Sequence, residues 1–311
     1  MLYPELKKRI NIISLIVFLF LAVVSTASSI PNIIVKYLFT SFPREYYFAF
    51  ANITNSMLFA VCYIFAIIIG SLILKNATKP KLKLHINKHP IALYFASLGV
   101  AISFSHLATM IFPGSGGAGG YNALHGLSIP VVFFSTAVIP AFFEELFFRG
   151  FVLGNLLPFG KGFAIIVSSF IFGLAHGNPT QFVFATISGF VFGYLYTATG
   201  SVWLGVAVHL TNNSIAAIET IAVSNMPPET YIKIIYILEA FFTVVGIISI
   251  IYLLKQSKRE SKFEDGAFGD SYEDSYIAPN QLSINQYLKS LITPFSIILV
   301  AMILLNYFCY D

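Results

Sequence analysis

Several ionisable or hydrogen-bonding side chains lie inside long apolar stretches of the sequence: Glu144, Glu145, Arg149, His176, His209 and Asn213. An ionisable side chain at mid-bilayer costs about 2.5–3.5 kcal/mol on insertion scales, so its presence indicates a function. Glu145 and Arg149 are spaced i,i+4 with the acid first, the favourable order for an ion pair on a helix. Glu144 is rotated by roughly 100° from Glu145, so one carboxylate can be neutralised while the other faces elsewhere. His209 and Asn213 share the i,i+4 spacing and therefore one helix face.

This set of residues suits the hydrolysis of an amide by activated water. A carboxylate desolvated in a helix bundle becomes a better base, so Glu144 with His176 can hold and deprotonate a water molecule. His209 and Asn213 can donate hydrogen bonds to the oxyanion that forms when this water attacks. No serine or cysteine beside a base is needed, so a covalent intermediate is not implied.

The same residues also admit structural explanations. Glu144, Glu145 and Arg149 can form an ion-pair cluster that joins helices, and each histidine can be a hydrogen-bonded core residue. Asn213 can bond between helices. Glu239, in a later apolar stretch, is expected to partner a polar group of a neighbouring helix. A proton-conducting transporter is a third alternative, although no repeat symmetry supports it.

The composition predicts the elements that position these side chains. The chain has 311 residues, of which 57% are hydrophobic and 10% charged, with a mean hydropathy of +0.80. Soluble domains carry about 25% charged residues, so a soluble enzyme and a nucleic-acid-binding protein are excluded. We predict an all-α polytopic bundle of eight or nine membrane helices, since a span needs roughly 20 apolar residues. The approximate spans are 10–29, 55–74, 91–112, 127–157, 162–176, 180–199, 201–222, 231–254 and 290–308.

The spans also predict organisation and orientation. Three segments are expected: N-terminal helices (1–126), a catalytic core (127–222), and C-terminal helices with a mobile cytoplasmic loop at about 255–289 (223–311). If nine spans alternate from a cytoplasmic N-terminus, the outer side keeps only Lys36, Arg44 and Lys233 of the 18 basic residues. The glycine-rich stretch at 114–120 lacks the context of a phosphate-binding loop. The fourth span contains Pro140, which predicts a kink or tilt.

Three motifs in order resemble those of the CPBP family, which comprises the CAAX prenyl endopeptidases and bacteriocin-processing (Abi) membrane proteases. They are Glu144-Glu145-x-x-x-Arg149, Phe172-x-x-x-His176 and His209-x-x-x-Asn213. The resemblance covers about residues 127–220, and outside them the chain is similar only in its hydrophobic spans.

The resemblance implies an intramembrane endopeptidase acting on a membrane-associated or exported peptide or protein. It implies that Glu144 activates water with His176, that His209 and Asn213 form the oxyanion site, and that Glu145 and Arg149 support them. A metal-free mechanism without a cofactor is expected, and zinc held by Glu144, His176 and His209 is the alternative. Some members have non-proteolytic roles, so a membrane scaffold or regulator of cell-envelope proteins is the alternative function. The expected partners are a peptide substrate and the lipid bilayer of a prokaryotic plasma membrane, with no nucleic acid.

Overall fold

The computed structural model describes residues 2–38, 44–74, 77–78, 80–82, 89–111, 129–177, 179–260 and 282–308. These residues form helices and no strand, apart from an isolated bridge between Leu82 and Ser201. The helices are α1 (Leu2–Ala27), α2 (Ile30–Leu38), α3 (Arg44–Ile73), α4 (Pro90–Ile111), α5 (Ile129–Phe159), α6 (Lys161–Leu174), α7 (Pro179–Thr199), α8 (Trp203–Asn225), α9 (Pro228–Glu260), α10 (Ile284–Ser290) and α11 (Pro294–Phe308). The predicted all-α class is confirmed.

Fewer helices can cross a bilayer than the sequence suggested. Within the described residues, six are long and apolar enough, and a seventh span exists if α10 and α11, bent by 65°, count as one. The chain is therefore an integral multi-pass membrane protein, but the predicted count of eight or nine is not reached. Helix α6 has only 14 residues, about 21 Å, which is shorter than the hydrocarbon core of about 30 Å. Helix α8 has 23 residues, but polar residues at 211–214 interrupt its apolar sequence.

Two further predictions fall partly outside the described residues. The glycine-rich stretch at 114–120 lies outside them, as do residues 261–281 of the predicted mobile loop. The two ends of that loop are helical, because α9 continues to Glu260 and α10 begins at Ile284. The orientation of the chain and its division into three segments stay predictions.

Helix α5 is irregular where the sequence predicts a kink. It contains π-helical stretches at Phe134–Val138 and Glu145–Leu153. Pro140 follows the first stretch; it has no N–H to donate, and its ring clashes with the carbonyl four residues earlier. The wider π turns change the hydrogen-bond register of the backbone without ending the helix. The second stretch contains both Glu145 and Arg149, so the irregular backbone coincides with the predicted site.

Close helix crossings hold the bundle together around the site. A Cβ atom on Gly99 would lie 2.7 Å from the Cα of Gly246, so α4 and α9 pack backbone against backbone. A Cβ on Gly173 would collide with Thr186, so α6 and α7 are equally close. Small residues at a helix crossing allow the backbones to come this close. Membrane helices use such crossings because lipid tails are as apolar as the side chains, so close packing must hold the helices together.

Candidate active site

The centre of the site is a fully buried ion pair on α5. The Nε atom of Arg149 lies 3.2 Å from Oε2 of Glu145, and neither side chain is exposed. The guanidinium carbon of Arg149 lies 4.4 Å above the Phe172 ring centroid and 5.4 Å from that of Phe192. A buried charge needs a partner, and the aromatic faces add a favourable cation–π interaction. The ion pair predicted from the i,i+4 spacing is confirmed.

His209 on α8 connects this pair to Glu144. Its Nδ1 lies 3.2 Å from Oε1 of Glu145, and its Nε2 lies 3.8 Å from Oε2 of Glu144. A carboxylate only accepts hydrogen bonds, so Nδ1 carries the proton and donates a hydrogen bond to Glu145. The Phe192 ring stacks on the imidazole with centroids 5.1 Å apart. The imidazole is therefore fixed on one edge and one face, with Nε2 directed toward Glu144.

Gly205 gives the Glu145 carboxylate its room. It lies one turn before His209 on α8, and a Cβ atom there would be 3.0 Å from Oε2 of Glu145. Only a residue without a side chain lets α8 approach this closely without displacing the carboxylate. The three motifs do not include Gly205, although its i,i+4 relation to His209 is visible in the sequence.

All four predicted catalytic residues line one cavity. The cavity has a volume of about 420 Å³, and its wall includes Glu144, His176, His209 and Asn213. Glu144 contributes a carboxylate oxygen, Oε2, that has no hydrogen-bond partner. Glu145 and Arg149 do not line the cavity; they lie behind His209. The structure thus brings the predicted set together and separates the four cavity residues from the two supporting ones.

His176 lies at the edge of the site and does not contact Glu144 directly. It follows the end of α6, and its Nδ1 donates to the backbone oxygen of Phe172 over 2.8 Å. This bond leaves Nε2 as the nitrogen with the lone pair. Among the described residues, no hydrogen bond or ion pair joins His176 to Glu144, whereas His209 approaches Glu144 directly. The two groups can share a water but do not touch.

A second cavity lies on the other side of Glu144. It measures about 310 Å³ and shares Glu144, His176 and Gln181 with the first. Its remaining wall is mainly apolar and comes from α1, α3 and α11, with Phe148 of α5 and the end of α6. Tyr63 of α3 lies in this wall and interacts with the Glu144 carboxylate. Nothing in the spacing of the motifs indicates Tyr63, because it lies 81 positions earlier in the chain.

The site residues do not form a metal-binding group. Within the described part of the chain, no three His, Cys, Asp or Glu side chains are grouped closely enough to hold a metal ion. In particular, Glu144 and His209 are close while His176 makes its own backbone contact. We therefore derive no step through zinc, and the metal-free mechanism stays a prediction.

Comparison with known proteins bears on the same segment. Residues 126–215 match the family model for type II CAAX prenyl endopeptidase Rce1-like proteins. A relative from Bacillus subtilis (strain 168), described as "Putative membrane peptidase YdiL", is 29% identical over 92 residues. That match covers 29% of this chain and 38% of the relative, so well under half of either protein is compared. No solved structure matches the chain. The predicted resemblance to the CPBP family is thus confirmed for the central segment, which is similar to the Rce1-like CAAX prenyl endopeptidases.

Proposed function

We propose that this protein is an intramembrane peptidase that hydrolyses a peptide bond with water activated by Glu144. The observation that carries the proposal is the position of Glu144, which lines one cavity with His176, His209 and Asn213 and whose Oε2 makes no hydrogen bond. The match of residues 126–215 to a peptidase family supports the same activity.

In the proposed mechanism, a water molecule lies between Glu144 and His176. The lone pair on Nε2 of His176 accepts one hydrogen bond from this water, and Glu144 accepts the other. Glu144 takes a proton as the water oxygen attacks the scissile carbonyl carbon. It then gives this proton to the departing amine nitrogen, and the carbon–nitrogen bond breaks.

The oxyanion of the tetrahedral intermediate is stabilised from α8. In this proposal His209 acts as an imidazolium, in which Nδ1 donates to Glu145 and Nε2 donates to the oxyanion. Glu145 is in turn fixed by Arg149, so the imidazolium is oriented before the reaction begins. Asn213, one turn further along α8, donates a second hydrogen bond from its amide. Each such donor is worth roughly 2.7–4 kcal/mol of barrier in other hydrolases.

The first test is a single isosteric change, Glu144→Gln. We expect at least about a thousandfold loss of cleavage, since the amide cannot accept the water proton. Comparative membrane proteomics of wild-type and variant cells should reveal an uncleaved precursor. Glu229→Gln, the same change at an exposed position at the start of α9, is the matched control and should process normally. Normal processing in a Glu144→Gln/His176→Ala double variant would contradict the peptidase proposal and favour the scaffold alternative.

A second test concerns metal. Because the described site residues are not grouped closely enough to hold a metal ion, chelators should leave the activity of the purified protein unchanged. If chelation abolishes cleavage and zinc restores it, the metal-free mechanism is wrong.

The substrate class follows from orientation, which is part of the proposal. With the N-terminus in the cytoplasm, crossings by α1, α3, α4 and α5 bring the start of α6 to the inner side, so the end of α6 that bears His176 points outward. A site near that face suits exported leader peptides or surface proteins better than prenylated cytosolic C-termini. Cysteines introduced at positions 118 and 260, with Cys62 and Cys309 replaced, test this. Labelling of position 118 only from the cytosolic side would reverse the orientation and the substrate class.

A further inference from the structure

The cavity lined by Glu144 also has two further acidic side chains in its wall, and they take no part in the proposed hydrolysis. Glu219 of α8 and Glu239 of α9 both line this cavity. Both lie outside residues 126–215, the segment similar to the peptidase family. We propose that this acidic end is a subsite for a lysine or arginine side chain of the peptide substrate. The proposal rests on the proposed peptidase function.

The charge balance of the cavity favours a cationic ligand. Its wall contains three carboxylates, those of Glu144, Glu219 and Glu239, and no lysine or arginine among the described residues. Glu239 is paired with His106 of α4, whose Nδ1 lies 3.0 Å from its Oε2. Glu219 and Glu239 are close enough for their charges to interact, and both interact with His106. Two carboxylates therefore share one histidine at this end of the cavity.

A buried polar side chain with no partner independently indicates a missing ligand. Ser188 of α7 is 2% exposed and lines the same cavity, and its hydroxyl makes no hydrogen bond. A buried polar group left unpaired costs about 1–3 kcal/mol, so native proteins rarely keep one without a use. A peptide backbone lying in the cavity would supply a hydrogen-bond partner to Ser188.

Part of the cavity wall is a row of residues along α8. Asn212, Ala216 and Glu219 recur at helical spacing and all line the cavity, so they lie on one face. His209 and Glu219 are ten residues apart, about 15 Å along the helix. An extended peptide rises about 3.4 Å per residue, so this distance corresponds to about four residues. The subsite thus selects a basic residue about four positions from the scissile bond.

Quenched-fluorescent peptides with one apolar sequence test the subsite. A single lysine is moved through each position up to six residues from the scissile bond, and a matched set carries glutamine instead. With wild-type protein in proteoliposomes, kcat/KM should be about tenfold higher for lysine than for glutamine at about the fourth position. In Glu219→Gln/Glu239→Gln this ratio should fall to about one, and Glu219→Lys should favour glutamate in that position. The control Glu229→Gln should keep the wild-type ratio. Equal cleavage of the lysine and glutamine peptides at every position would overturn the subsite.

Binding to an inactive protein separates this proposal from the proposed function. Fluorescence anisotropy of the same peptides is measured with Glu144→Gln and with Glu144→Gln/Glu219→Gln. The lysine peptide should bind the first variant about tenfold more tightly than the glutamine peptide, and the second variant should lose this difference. A preference for lysine without cleavage by wild type would refute the peptidase and keep the subsite. Cleavage by wild type without any preference in binding would refute the subsite and keep the peptidase.

Discussion

The α5–α8 contact and the α4–α9 contact place charge in opposite ways. Between α5 and α8, Glu145 and Arg149 are fully buried and His209 is 5% exposed. Between α4 and α9 the central contact is backbone on backbone at Gly99 and Gly246, and the ion pair of His106 with Glu239 is partly exposed. The first contact is organised around buried charge, whereas the second has two glycines at its crossing and a hydrogen bond between Ser103 and Thr243 beside it.

The difference follows the surroundings of each contact. Only 17% of the most apolar stretch of α9 is buried within the protein, so this helix presents large side chains such as Ile237 and Ile248 outward. For α7, which packs near the charged pair, the buried share is 50%. A charge is tolerated in a membrane protein where other helices enclose it and supply partners. The contrast shows that charged side chains lie where neighbouring helices enclose them most fully. Three sets of variants test this relation.

The largest effect is expected from breaking the buried ion pair. Arg149→Met leaves the Glu145 carboxylate buried with only His209 as a partner, which should cost about 3–5 kcal/mol of folding free energy. Thermal unfolding in detergent measures the loss. Glu145→Gln/Arg149→Met removes both charges and should recover much of the stability without restoring activity. An unchanged unfolding temperature in Arg149→Met would show that the pair does not hold the centre together.

A medium effect is expected at the glycine crossing of α4 and α9. In Gly246→Ala the new Cβ would lie 2.8 Å from the Cα of Gly99 and 3.1 Å from the carbonyl oxygen of Phe95. Backbone atoms cannot move aside cheaply, so α4 and α9 must separate, at a cost of about 1–3 kcal/mol. Gly162→Ala, where nothing lies within 4 Å of the new Cβ, is the matched control on α6 and should not be destabilised. Equal unfolding temperatures for the two variants would contradict the tight crossing.

The smallest change in stability, with a visible change in activity, is expected at Gly205. In Gly205→Ala the added Cβ displaces the Glu145 carboxylate, which then holds His209 less well. We expect under about 1 kcal/mol of destabilisation but about a tenfold loss of kcat, because small misplacements of a catalytic group slow reactions strongly. Gly193→Ala is equally tight, with contacts of 3.2 Å, but meets only the apolar side chains of Ile165 and Leu153. If Gly193→Ala lowers kcat as much as Gly205→Ala, the carboxylate is not the cause.

Local sequence rules predicted much of the site. The i,i+4 spacing placed Glu145 beside Arg149. Glu144, His176, His209 and Asn213 line one cavity, and their catalytic roles stay predictions. The expectation that Glu239 partners a polar group of another helix was also correct, since it pairs with His106. The count of eight or nine spans is not confirmed within the described residues, because α6 is short and the pair α10 and α11 is bent.

The sequence by itself determined the class of protein and the short list of polar residues inside the membrane segments. Composition is a property of the whole sequence, and helical spacing spans only three or four residues. Both can therefore be recognised without a structure. Only the tertiary structure decided which groups meet across helices: His209 rather than His176 contacts Glu144, and Gly205 makes room for Glu145. It also decided that Glu219 and Glu239 share the cavity of Glu144. Such contacts depend on how helices distant in sequence cross, and helix crossings depend on packing that no local pattern records.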